Sequence, residues 1–481
     1  MSRILSAEGV TFEFTVPVVV IGGGAAGMIA ALAAHERGAE VLVLERDALP
    51  QGSTALSAGL IPAPGTRWQR AAGIEDSPER FAADIIAKAK GEPDPADVSR
   101  VARAVGPALE WLADRYGLPF SVVDNFTYPG HSARRMHGLP SRSGAELIDR
   151  LRGAVEAAGI DVLCEAHVTA LYADDGPRVR GVEVTRPDGS VERVGCAALI
   201  LACNGYGGNR ALVERHVPEL ADALYFGHPG NQGDALLWGE ALGAATRHLS
   251  GHQGHGSVAH PAGILVTWAT VTEGGVQVNT EGKRFSNEAQ GYSEQAAVVL
   301  RQPDGIAWTV FDERIAAVAR QFEDFRQAEA MGAVLGADSP ADLARLMKVD
   351  ADALTATLAE VDRLKAAGGT DGFGRSFAGS APLVAPYRAV RVTGALFHTQ
   401  GGLVVDDGAR VVSGEGGALP NLYAAGGAAG GVSGSKASGY LSGNGGPAAG
   451  ARGRQAGGGG AEPRAAGPRQ GGRKPNTHAR L

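Results

Sequence analysis

Val18-Val19-Val20-Ile21-Gly22-Gly23-Gly24-Ala25-Ala26-Gly27 is the stretch whose reading decides the fold. A β-branched run stops at three glycines, and an alanine-rich segment, Met28 to Arg37, follows at helical spacing. The pattern reads as strand, tight turn, helix. Gly22 permits the turn, Gly24 lets backbone approach a pyrophosphate, and Gly27 packs helix against strand. The helix start at Ala25 and Ala26 then offers its unpaired N–H groups and positive dipole end to the phosphates. Gly38 closes the helix, and Glu40 to Leu44 reads as a second strand ending in Glu45 and Arg46. An acid about 20 residues past the glycines is in register to accept the hydroxyls of an adenosine ribose. Strand, glycine turn, helix, strand and acid together specify dinucleotide binding far more strongly than a lone glycine motif.

A chain of 481 residues is too long for one compact core and suggests two domains or more. A hydrophobic share of 44% and a mean hydropathy of −0.05 belong to an ordinary globular protein. The net charge of −7 gives no reason to expect a nucleic-acid partner. No apolar run approaches the ~18 residues of a membrane span, and Met1 to Glu13 shows no secretory core. Cys164, Cys196 and Cys203 form no CxxC pair, which argues against a disulfide framework, a zinc site or a redox dithiol. A reducing cytoplasm is the expected setting.

Outward from the first unit, Gly52-Ser53-Thr54-Ala55-Leu56-Ser57-Ala58-Gly59-Leu60 is built of small residues that let backbone lie flat against a large planar group. Ser77 to Leu118 is expected to be largely helical, with Gly106-Pro107 marking a kink or a helix start. Tyr128 to Arg135 reads as a polar loop, and Ser143 to Glu146 caps a helix to Ala158. After a strand from Val162 to Cys164, three segments beginning at Val168, Val179 and Val191 alternate like an antiparallel meander. A separate apolar strand, Ala198 to Ala202, runs into the glycine turn Cys203-Asn204-Gly205, and Gly233-Asp234 opens another helix. From 250 to 390 the character changes to a cap domain. It has a histidine-containing loop, a strand pair around Gly274 to Arg284, and helices beginning after Asp338-Ser339-Pro340 and at Val349. Strand character resumes from Ala395 to Val405, and Asn421 to Gly427, with Gly426 and Gly427 at its end, is expected to return to the first domain.

In this order the motifs resemble the FAD-dependent fumarate reductase/succinate dehydrogenase flavoprotein superfamily, and the nearest branch looks like the 3-ketosteroid dehydrogenases of Δ4-(5α) type. Further stretches that carry the resemblance are Glu281 to Glu288, His398-Thr399-Gln400-Gly401-Gly402-Leu403 and Gly439 to Gly445. It implies an α/β fold, with a Rossmann-type FAD-binding domain (a parallel sheet plus a small antiparallel meander) over 1–249 and 391–445 and an inserted α+β cap domain over 250–390. It implies FAD held also by Gly443, Asn444 and Gly445, and non-covalently, because no histidine stands between Gly52 and Gly59. His255 and His398 match two histidines that clamp a dicarboxylate in fumarate reductases. The arginine expected to donate a proton is replaced by Tyr292, and a second clamping arginine by Tyr440. Without two fixed cations a dianion would be poorly neutralised in a closed site; Arg134, Arg135 and Arg284 are the nearest substitutes in sequence.

Tyr440-Leu441-Ser442 is similar to the Tyr-x-Ser of the Δ4-(5α) branch. Desaturating a carbon pair beside a ketone takes a hydride acceptor, flavin N5 in this family, with a base and a carbonyl donor. The resemblance assigns the last two roles to Tyr292 and Tyr440, in either order, with Ser442 relaying the proton. The implied partners are a small-molecule ketone, or an unsaturated acid on the fumarate reductase alternative, and an external electron acceptor or donor. No CxxCH motif is present to hold a haem.

The end of the chain departs from the family. After Gly445, residues 446–481 run through Gly457-Gly458-Gly459-Gly460 into proline and arginine without apolar periodicity. A disordered, low-complexity tail is the expectation. A change of reading frame near codon 446 would account for it, and an inactive flavin-binding protein would be one consequence.

Overall fold

The computed structural model describes residues 3–124, 128, 130–435, 439–441, 443 and 445–460. After a short edge strand, Arg3–Ser6, strand β1 (Phe14–Ile21) passes through Gly22 at φ +106° into α1 (Ala25–Glu36) and then β2 (Val41–Leu44). A β-carbon on Gly27 would sit 1.9 Å from the Gly22 carbonyl oxygen, so helix and turn are in backbone contact. Every residue from Ala25 to Ala34 is buried, so α1 must be covered on all sides.

Two amphipathic helices, α2 (Pro78–Lys88) and α3 (Pro95–Tyr116), fill the stretch expected to be helical. Pro107 lies inside α3 rather than at its start. After β3 (Asp161–Leu163) come β4 (His167–Ala173), β5 (Val179–Thr185) and β6 (Val191–Leu201). The sequence divided β6 in two, but it is one strand with three partners. Its first half pairs antiparallel with β5; from Val194 onward it pairs parallel with β1, Ala198 opposite Val18 and Ile200 opposite Val20. Helix α4 (Asp234–Ala241) then opens at Gly233-Asp234 as expected.

The cap carries β7 (His252–Ala259), α5 (Tyr292–Leu300), β8 (Ile306–Asp312) and β9 (Tyr387–Thr399), with β7 and β8 flanking β9 antiparallel. The boundary drawn at 390 therefore falls inside β9. Instead of a strand pair at 274–284 there is one strand, Val276–Val278, paired with β8. The chain returns as β10 (Ala418–Ala424), parallel to β6, completing the parallel order β10-β6-β1-β2-β3. Rossmann-type core, meander and inserted cap are thus all present.

The largest departure is at the end. Gly445–Gly460 forms a helix, α6, where a disordered tail was expected from 446; residues 461–481 lie outside the described part. Glycines that gave no periodic signal let α6 lie against α1. A β-carbon on Gly453 would stand 2.8 Å from the Ala26 carbonyl oxygen, and one on Gly457 2.0 Å from that of Ala30. Arg452 is buried and shares the Asp97 carboxylate with Arg247, its Nη2 2.7 Å from Asp97 Oδ2. Two helix-end carbonyls are also held: Gly458 O accepts from Arg37 Nη1 at 2.8 Å, and Gly459 O from Tyr423 Oη at 3.0 Å. Gly457→Val should force the helices apart and destabilise the protein by about 1–3 kcal/mol, read as a lower denaturant midpoint. An unchanged midpoint would show that α6 does not cover α1 in solution.

Candidate active site

A cavity of about 1030 Å³ runs from the β1–α1 turn to the cap. That is the upper end of small-molecule sites. Gly22, Gly24, Ala25, Ala26, Glu45, Arg46, Val168, Cys203 and Asp234 line one end. Gly52, Ser53, Thr54, Ser57, Ala58, Gly59 and Asn204 line its middle wall. Gly426, Gly427, Gly443, His255, Tyr292, His398 and Tyr440 also face it. Gly27 and Gly205 lie behind it as packing glycines, Gly27 on the Gly22 carbonyl and Gly205 against Thr399 Oγ1. Gly445 opens α6, while Ser442 and Asn444 fall outside the described residues.

The first end fits an adenosine pyrophosphate. A β-carbon on Gly24 would meet only Thr54 Oγ1, at 3.6 Å, so that backbone is open to the cavity. Thr54 Oγ1 accepts the first N–H of α1, from Ala25, at 3.1 Å. Glu45 is buried at the end of β2, where it accepts from Gly23 N–H at 2.7 Å and Asp47 N–H at 2.9 Å. Its carboxylate thereby ties the glycine turn to the second strand. Trp238 lines this end too, and its indole N–H is buried without a partner among the described residues. No histidine stands between Gly52 and Gly59.

The other end is built from rings. Phe226, Phe397, His255 and Tyr292 form a stacked column with successive centroid separations of 4.9, 5.3 and 5.0 Å. Trp268 meets His255 edge-on at 5.6 Å. Burial pushes His255 down to about 3, so its imidazole is neutral. Its Nδ1 accepts from Ser257 N–H at 3.2 Å, which leaves the ring proton on Nε2 as a donor. His398 is likewise held neutral by burial, pushed down to about 4. Its Nδ1 accepts from Gln400 Nε2 at 2.7 Å, and Gln400 Oε1 in turn accepts from Ser433 Oγ.

Tyr440 lies edge-on to His398 at 5.4 Å. Its oxygen accepts from Gly443 N–H at 3.2 Å, leaving the hydroxyl proton to donate, and burial raises its pKa, so it stays a phenol. Tyr128 adds a third cavity-lining tyrosine whose pKa burial also raises. Tyr292 is the first residue of α5, at the positive end of that helix.

The arginines proposed as substitutes for a carboxylate clamp are spent elsewhere. Arg135 is fully buried, with Nε 2.8 Å from Asp76 Oδ2 and Nη1 on Asp84. Arg284 pairs with Glu288 and Asp371 inside the cap, and Arg134 is exposed and does not line the cavity. Among the described lining residues the sole guanidinium is Arg46, at the adenosine end, and none is a lysine. Glu273, Asp324 and Phe322 line the cap side.

Sequence reasoning passed over Phe226, Trp268 and Phe397, and read Tyr128 only as part of a polar loop that is solvated or lines a cleft. Tyr128, Phe226 and Trp268 lie in irregular segments and carry no periodic signal. Phe397 adjoins His398 within a quoted motif and could have been found there.

The family model described as an FAD binding domain matches residues 17–444. The NADH:fumarate oxidoreductase of Klebsiella pneumoniae (strain 342) is 31% identical over 420 residues, 87% of this chain and 45% of that protein. The chain therefore spans less than half the length of that relative. Among solved structures, the open conformation of a flavocytochrome c3 fumarate reductase is 28% identical with a TM-score of 0.82, covering 94% of this chain and 79% of that one. The 3-ketosteroid-Δ4-(5α)-dehydrogenase of Rhodococcus jostii RHA1 is 25% identical with a TM-score of 0.76, covering 96% and 100%. By these matches the chain belongs to the FAD binding domain family and is an FAD-dependent oxidoreductase.

Proposed function

We propose that this protein desaturates the carbon pair beside the carbonyl of an apolar, uncharged ketone, in the manner of 3-ketosteroid dehydrogenases. The observation that carries the reading is the lining of the reaction end: tyrosines, neutral imidazoles and stacked rings, without a lysine or arginine among the described residues. A dicarboxylate would enter that space with no lysine or arginine beside it among the described residues, and Glu273 and Asp324 also line the cavity. FAD, when bound non-covalently, supplies the two-electron acceptor.

Tyr440 donates its hydroxyl proton to the ketone oxygen, stabilising the charge that gathers there as the adjacent C–H bond breaks. Its bond from Gly443 N–H makes it the better donor. Tyr292 takes the proton as a phenolate, the form that the start of α5 favours once its own hydroxyl proton has left through the relay. His255 holds Tyr292 by stacking, and its Nε2–H offers a further donor without a charge to bury. Ser442 remains the proposed relay from the base.

Reduction of an unsaturated acid is the second reading, favoured by the name of the Klebsiella relative. An external partner exchanges the electrons in either case. A reducing cytoplasm suits the three free cysteines, and no described helix is long and apolar enough to cross a membrane.

Anaerobic addition of 5α-androstanedione should bleach the flavin bands of the purified protein, whereas succinate should leave them oxidised. Bleaching by succinate alone would overturn the ketone reading in favour of the acid, and intact FAD with no response to either would point to an inactive flavoprotein. Tyr440→Phe and Tyr292→Phe should each slow bleaching by about 10²–10⁴-fold while FAD stays bound.

The neutral histidines also make stability depend on pH. His137, His255 and His398 are pushed down to about 4, 3 and 4, while in the unfolded chain they titrate near 6.5. Below 6.5 the unfolded state therefore binds protons that the folded state does not, and stability falls with pH from about 6.5 toward 4. The melting temperature followed across that range should drop, and His255→Gln should flatten the slope.

A further inference from the structure

The first three residues of α5 are all tied down, two of them to β7 and one to α2. Tyr292 stacks on His255. Ser293 Oγ accepts from Gly254 N–H at 3.0 Å, fixing the helix to β7 one residue before His255. Glu294 folds back over the helix start, its Oε2 standing 2.4 Å from where a β-carbon on Gly291 would be, and Gly291 itself has φ +150°. Its Oε1 meets Nζ of Lys88, the last residue of α2.

Lys88 belongs to the FAD-binding domain and Glu294 to the cap. Every other ion pair made by residues 250–390, among the described residues, stays within the cap. The pair is also sheltered, with side chains 22% and 17% exposed, so salt screens it less than a surface pair. A glutamate on the first turn favours the helix dipole by itself. That does not require a lysine from the other domain to meet it.

We propose that Lys88 and Glu294 form the latch that registers the cap on the FAD-binding domain and aims Tyr292 into the cavity. They are positioning residues, acting through the first turn of α5. Breaking the pair frees that turn, and Tyr292 and the Gly254–Ser293 bond lose their fixed geometry together. Only the kinetic consequence rests on the role given to Tyr292 above; the latch itself is a statement about the two domains.

The test is amide hydrogen exchange on the FAD-loaded protein. Lys88→Met and Glu294→Gln should each speed exchange at Gly254 and in the first turn of α5 by roughly five- to tenfold, leaving β8 unchanged. Lys88→Arg should keep the original rates. The double variant should exchange no faster than either single one, because one interaction is lost in all three. Unchanged exchange at Gly254, additive single effects, or acceleration spread evenly over β8 would each overturn the latch. In parallel, KM for the ketone should rise with FAD affinity unaltered. Exchange that responds in a protein that turns over no ketone would sink the reading of the reaction and leave the latch standing.

Discussion

The burial of α1 on every side is the constraint from which the rest of the structure follows. Its N-terminus opens on the cavity, so the cofactor can approach only there. The parallel sheet covers one side, through the backbone contact that Gly27 allows. The opposite side is covered by α6, whose glycines bring it against Ala26 and Ala30. A helix of alanines has little side-chain area to bury, so its stabilisation depends on partners coming this close.

That dependence explains both why α6 forms and why it is costly. Each glycine in a helix interior is less favourable than alanine by about 1 kcal/mol, and Gly450 and Gly453 lie inside α6 with four more glycines in its last turn. Contact with α1 must offset this, since α6 has no apolar stripe of its own. Arg452 adds a second cost. The carboxylate of Asp97 already faces Arg247 and Arg100, and burial beside those cations pushes Arg452 down to about 10. Arg100 has a second anion in Asp407, 2.9 Å away, but Arg247 and Arg452 share one carboxylate and leave uncompensated positive charge in a buried place. The end of the chain is therefore where this fold has least stability to spare, next to the helix on which FAD binding depends.

The sequence was legible wherever a local rule fixes the backbone. The β1–α1–β2 unit, the caps at Ser143 and Ser339, and the helix opening at Asp234 follow from residue types at fixed offsets. It was not legible where one element serves more than one partner. Strand β6 changes from an antiparallel to a parallel neighbour without a break, and no local signal marks the change. Helix α6 was invisible for a related reason, since close approach of glycine to backbone leaves no hydrophobic period to read. In the site, Tyr292, Tyr440, His255 and His398 were found through motifs. The ring column is assembled from four separate segments, and only the tertiary fold brings them into line.

On the proposed reading, the ring column lets the same fold work without the charges a dicarboxylate demands. A cation held in a dry cavity is costly unless an anion meets it, so a site shaped for a neutral ketone is better served by donors that never ionise. His255 and His398 satisfy that condition by different means, one with its Nδ1 on a backbone N–H and the other on a glutamine amide. In both the remaining proton is left on Nε2. Tyr440 is held in the same way, its lone pair taken by Gly443 N–H. Low dielectric strengthens each such donor toward a developing oxyanion. Their strength grows as water is kept out, and the contacts of α5 with β7 and α2 hold the cap side of the cavity in place.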